Sequence, residues 1–107
     1  MTCLTPELSL NDLPDIAAGH VSDLLSDVIA NAPSGGVLVT IQVHLNVIAV
    51  AVHADAAAVI FAGGMQPDEA AIKRATEEQI VLFASQQSAF DVVGQLYALG
   101  LRGYAKK

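Results

Sequence analysis

Apolar residues fall in short runs separated by breaker clusters along most of this chain. The clearest arrangement lies between Asp55 and Ala84. There Ala56-Ala57-Ala58-Val59-Ile60-Phe61-Ala62 meets Gly63-Gly64, Pro67-Asp68-Glu69 opens a helical pattern, and Ile80-Val81-Leu82-Phe83-Ala84 follows. A strand, a crossover helix and a parallel strand fit this span of about thirty residues.

The same alternation extends in both directions. Val37 to Ile41 is rich in β-branched residues and reads as a buried strand, preceded by the breaker Pro33-Ser34-Gly35-Gly36. Upstream, Ile16 to Val21 fits a short strand. Ser22 is a candidate N-cap for a helix over 23–31, with Leu24, Leu25, Val28 and Ile29 on one face. Val47 to Val52 is ambiguous between strand and helix, and Asn46, a good N-cap residue, favours helix. A crossover between parallel neighbours also needs one there. Pro67 suits the first helical position of a third helix reaching Glu78, with Asp68 and Glu69 at its positive dipole end. Ser88 with Asp91 resembles a capping box opening a last helix, which Gly100 ends. The tail from Arg102 to Lys107 fits an edge strand or a frayed end. Helices at 23–31, 46–53, 67–78 and 88–99 thus alternate with strands at 37–42, 57–62 and 80–84. The pattern predicts an α/β fold: a single three-layer α/β/α domain with a small, mostly parallel sheet.

Composition adds an expectation about partners. Of 107 residues, 53% are hydrophobic and 15% charged, against about 25% charged in an average domain. So little polar surface predicts that apolar surface is buried against another chain, most simply in a homodimer. Net charge is −6, and the first basic residue, Lys73, follows eight acidic ones. Five Lys and Arg in all argue against nucleic acid, which is held by cations on phosphates, and an acidic surface repels anionic membranes. The apolar stretch from Leu45 to Ala62 contains His53 and Asp55 and stops at Gly63-Gly64, so it does not read as a membrane span. Cys3 is alone and offers no disulfide or thiolate metal site. The first residues lack a secretory pattern, which leaves a cytoplasmic location as the expectation.

In parallel sheets, ligands bind beyond the carboxyl ends of the strands. Three predicted turns meet there: Gln42-Val43-His44-Leu45-Asn46, Gly63-Gly64-Met65-Gln66 and Ser85-Gln86-Gln87-Ser88. Candidate ligand contacts are Gln42, His44, Asn46, Gly63, Gly64 and Ser85, a set of amides, a hydroxyl, an imidazole and backbone N–H groups without a cation. Gly63-Gly64 matches neither the P-loop nor the dinucleotide fingerprint and reads first as a tight turn needing positive φ. His44 is the leading polar candidate, ahead of His20 and His53. These three histidines lack the close spacing of a zinc site. Asp68-Glu69 and Glu77-Glu78 are neighbours on helices, so the members of each pair diverge by about 100° and do not act jointly as acid and base. With no nucleophile-base set, no metal site and no cofactor motif, the chain reads as a non-enzyme.

The elements from Val37 onward, above all the strand ending in Gly63-Gly64, the Pro67-Asp68-Glu69 that follows and the strand Ile80 to Ala84, resemble the DRTGG domain family. That module is similar to the N-terminal domain of HPr kinase/phosphorylase. The resemblance implies that residues 1–107 form a single DRTGG-like domain, a stand-alone member without the kinase domain and its P-loop. Gly63 and Gly64 match the family motif. The family's Asp-Arg-Thr cluster falls where this chain has Gln42 to Asn46, so the arginine is missing. Members accompany metabolic proteins, which implies a non-catalytic regulatory domain sensing a small metabolite or nucleotide at the carboxyl edge of the sheet. The alternative is an interaction adaptor that docks a metabolic enzyme or kinase without a small ligand.

Overall fold

The central strands lie side by side because their residues are apolar or β-branched on both faces and must be covered on both. The computed structural model describes residues 1–8 and 15–103. In chain order the elements are β1 (Thr2–Cys3), β2 (Gly19–Val21), α1 (Leu25–Asn31), β3 (Val37–Thr40), α2 (Asn46–His53), β4 (Ala58–Phe61), α3 (Glu69–Glu77), β5 (Val81–Ala84) and α4 (Ala89–Ala98). The sheet order is β1-β5-β4-β3-β2. β2 to β5 are parallel, with Val37 beside Ala58 and Ala58 beside Val81, and β1 runs antiparallel to β5.

Every residue of β3 and β4 is buried, which is why these strands appear as continuous apolar runs rather than alternating ones. Leu38, Val59, Phe61 and Leu82 point to one face and pack against Val28 of α1, Val47, Ile48 and Ala51 of α2, and Ala71 and Ala75 of α3. Val37, Val39, Ala58, Ile60 and Val81 point to the other and pack against Val92 of α4. The protein is therefore a three-layer α/β/α sandwich with three helices on one side and one on the other.

The N-terminal segment adds a strand that the pattern did not announce. Thr2 and Cys3 pair with Ala84 and Phe83. The buried Thr5 then accepts the Leu82 N–H on its hydroxyl at 3.2 Å, fixing the segment to β5. At the opposite edge, Arg102 forms a parallel bridge with Ala18, its N–H donating to Ala17 and its carbonyl accepting from Gly19. Of the tail read as an edge strand or a frayed end, Arg102 makes this one bridge, and residues 104–107 lie outside the described residues.

Three helix starts differ from the sequence expectation. The Ser22 hydroxyl accepts from Leu24 and caps no helix, and α1 starts at Leu25 because Asp23 turns away to the end of β3. Asn46 opens α2 but is not its cap. Its own N–H donates to His44 Nδ1 at 3.1 Å, and no side chain caps from position 45. Pro67 precedes the helix it was expected to begin, and Asp68 is the N-cap, its carboxylate accepting from Ala71 N–H at 3.0 Å. The last helix is as expected: the Ser88 hydroxyl accepts from Asp91 N–H.

Helices α2, α3 and α4 stop by one device. In each, the residue after the C-cap takes positive φ and the next N–H reaches back to a carbonyl in the last turn: Ala56 to Ala51, Ile80 to Ala75 and Leu101 to Leu96. This is the Schellman arrangement, which glycine occupies without strain. Only α4 uses glycine there, Gly100, whereas α2 uses Asp55 (φ 57°) and α3 uses Gln79 (φ 61°). Asp55 has a second role, accepting from the Ser34 hydroxyl. Gln79 is exposed, and among the described residues its side chain makes no hydrogen bond. Replacement Gln79→Gly is therefore expected to raise stability by about 1 kcal/mol by removing left-handed strain. The urea midpoint should rise at unchanged m-value, with a smaller gain for Asp55→Gly.

Candidate functional site

The carboxyl ends of β3, β4 and β5 carry the three turns in which the candidate contacts lie, and the parallel register sets these turns side by side. At the end of β3, the buried Thr40 donates its hydroxyl to Asp23 Oδ1 at 2.9 Å and accepts the Gln42 N–H at 3.1 Å. The same carboxylate oxygen accepts the Ile41 N–H at 2.9 Å. Asp23 thus stitches the turn after β2 to the turn after β3. Gln42, His44 and Asn46 are exposed on the far side of this stitch. Because His44 Nδ1 accepts from Asn46, its neutral ring carries the proton on Nε2.

The Gly63-Gly64 turn is fully engaged. Both residues have positive φ, 71° and 75°. Gly63 N–H donates to the Gln87 carbonyl at 2.6 Å and Gly64 N–H to the Ser85 carbonyl at 2.9 Å. The Ser85 side chain is buried, and its hydroxyl accepts the Gln87 N–H at 3.1 Å. A Cβ at Gly64 would come within 2.9 Å of Gln86 Oε1, and one at Gly63 would meet an Ile41 methyl at 3.6 Å. The turns converge as the topology implies. The backbone donors expected to face a ligand are instead committed to the neighbouring turn, and the Ser85 hydroxyl serves its own loop. Gln42, His44 and Asn46 keep exposed polar side chains.

The electrostatics of this edge disfavour anions. No Lys or Arg occupies the three turns, and the positive end of α3 already holds Asp68 and Glu69. Arg74 is engaged with Glu78 at 3.1 Å. His53, in the last turn of α2, is exposed. Among the described residues, no group of three or more His, Cys, Asp or Glu side chains is placed to hold a metal ion. No helix among them is long and apolar enough to cross a membrane.

Two features lie outside the candidate set. His20 of β2 meets Asp27 of α1, Nε2 to Oδ2, at 2.7 Å, and Asn31 donates to the other oxygen at 2.8 Å. These bonds, that from Asn31 foremost and then that from His20, hold the Asp27 carboxyl at a pKa of about 2. The i,i+4 spacing of Asp27 and Asn31 was visible in the sequence, but the arrival of His20 from a strand was not.

The second feature is apolar. Between β2, β3 and α4 lies a cleft of about 130 Å³ lined by Val21, Val39, Val93, Leu96, Tyr97 and Leu101. Beside it α4 presents Phe90, 87% exposed, and Tyr97, 57% exposed. The Arg102 guanidinium sits 3.7 Å from the Tyr97 ring centroid and donates to the Tyr97 carbonyl. The hydrophobic pattern hinted at this surface, since Phe90 and Tyr97 fall off the inward arc that contains Val92 and Leu96.

No protein-family model and no curated protein matches the chain.

The Asp27 cluster yields a pH test. Its folded-state carboxyl lies below the ordinary 3.8, so it stabilises the fold fully above pH 4, and that contribution disappears as pH falls toward 2. The stability difference between wild type and Asp27→Ala, measured by urea unfolding, should shrink as pH falls from 4 to 2.

Proposed function

We propose that the chain is a non-catalytic, cytoplasmic interaction domain that works through its α4 face. The observation that carries this reading is the contrast between the two surfaces. At the carboxyl edge the Gly63 and Gly64 N–H groups are donated to Gln87 and Ser85, while α4 leaves Phe90 and Tyr97 open beside an apolar cleft. Large aromatic side chains in such exposure mark sites of polypeptide contact. The arrangement agrees with the adaptor expected from the DRTGG resemblance, a regulatory module that docks a metabolic enzyme or kinase.

A second reading, a sensor of a small metabolite or nucleotide, draws on one geometric fact. After β4 the chain passes to the face of α3, and after β5 it passes to the opposite face, that of α4. Such divergence of neighbouring turns is where open α/β sheets bind ligands. Gln42, His44 and Asn46 flank it with exposed polar groups. Binding there requires the Gly63 and Gly64 N–H groups to exchange a carbonyl partner for the ligand.

Thermal unfolding in the presence of millimolar ATP, ADP, AMP, inorganic phosphate or acetyl phosphate separates the two. A ligand at 100 times its Kd adds about 2.7 kcal/mol to the native state, a shift of several degrees for a domain of this size. The interaction reading expects no shift from any of these compounds. A rise of several degrees that is lost in Gly64→Ala would overturn it in favour of the sensor.

A further inference from the structure

We propose that the α4 face binds a second copy of this chain, the two α4 helices packing antiparallel about a two-fold axis between Val93 and Gly94. The inference rests on the interaction reading above and names the partner.

At about 100° per residue, Phe90, Gly94 and Tyr97 lie within an arc of about 60° on α4, with Val93 at its border. Val92, inside, is fully buried. The stripe is also symmetric along the helix. Reversing α4 about the midpoint of Val93 and Gly94 places Phe90 of one copy on Tyr97 of the other, and Val93 of one on Gly94 of the other. An aromatic ring meets an aromatic ring at both ends, and a branched side chain meets a residue without one at the centre. Gly94 is exposed, and nothing lies within 4 Å of where its Cβ would be, so the partner helix can approach closely there. An isologous interface requires a self-complementary surface of this kind.

Charge selects the same partner and the same direction. Two copies of a chain with net charge −6 repel except where their contact surface is neutral. Positions 92–101 contain no charged residue. Asp91 stands at the start of α4, and Arg102, fixed over Tyr97, stands just past its end. Antiparallel packing brings the Arg102 end of each helix to the Asp91 end of the other, whereas parallel packing sets like charges together. The cleft lined by Val21 and Leu101 continues the apolar surface beyond the helix.

Size sets the strength. A stable interface buries about 800 Å² per partner, and a ten-residue helix about 15 Å long supplies only part of that. The dimer is accordingly of micromolar affinity, and it forms and dissociates with concentration.

Sedimentation of the full chain from about 1 to about 200 µM tests this directly. Wild type is expected to shift from monomer to dimer across that range. Phe90→Glu alone and Tyr97→Lys alone, both at exposed positions and checked for native circular dichroism, should weaken association at least tenfold. Mixed together, the two variants should form a heterodimer, because antiparallel pairing then joins Glu to Lys at one end and keeps the native Phe90–Tyr97 contact at the other. Wild type that stays monomeric at 200 µM overturns the self-association while leaving the interaction reading with a different polypeptide. Single variants that dimerise like wild type overturn the surface, and a mixture that stays monomeric overturns the antiparallel geometry. A nucleotide-induced rise in melting temperature would instead remove the interaction reading beneath it.

Discussion

Burial of both faces along β3 and β4 is the constraint from which the rest of the molecule follows. Every residue of both strands is buried, so helices must cover the sheet twice. Three crossovers place α1, α2 and α3 on one side, where Val28, Ile48 and Ala71 meet Leu38, Val59 and Leu82. Of the described helices the other side receives α4, with Leu8 and Ile16 also packed against it. One helix cannot shield five strands, since neighbouring strands alone are spaced about 4.8 Å apart and the helix is about 10 Å across. The apolar cleft beside β2 and the double-sided hydrophobicity of α4 both arise from this imbalance.

Much of this was legible in the chain because buried parallel strands and their breakers leave strong local marks. Val37 to Thr40, Ala58 to Phe61 and Val81 to Ala84 are apolar or β-branched throughout and are bounded by Gly, Pro or Ser, so their existence and order could be read directly. β1 could not. Two residues, Thr2 and Cys3, carry no period, and what holds them is Thr5 on Leu82, 77 positions away in sequence. Caps were misplaced for a related reason. Ser22, Asn46 and Pro67 are all residues that suit helix starts, but Asp23, His44 and Asp68 stood nearby with acceptors of their own. Which acceptor wins depends on where the neighbouring strand ends, as with Asp23 reaching Thr40 and Ile41.

The candidate edge divides in the same way. That the turns containing Gln42, Gly63 and Ser85 would meet follows from parallel pairing alone. That the glycine N–H groups would be engaged does not, because it depends on the carbonyl directions of residues 85 and 87. The positive φ at Gly63 and Gly64 serves to aim both N–H groups sideways into the next turn. The glycine pair fastens two loops together, and the acids at the start of α3 suit that role, since they leave no positive pole exposed.

Thr2–Cys3 and Arg102 lie at the two borders of the sheet. β1 pairs along β5, and next to β2 a single bridge joins Arg102 to Ala18. Open strand edges invite pairing with other chains, and here β1 and the Arg102 bridge blunt one edge each. During synthesis the β2 edge therefore stays uncovered until Arg102 has emerged, and β1 waits without a partner until β5 exists. The growing chain thus holds a nearly complete core while its β2 border is still bare, and that border gains a partner only when Arg102 joins Ala18.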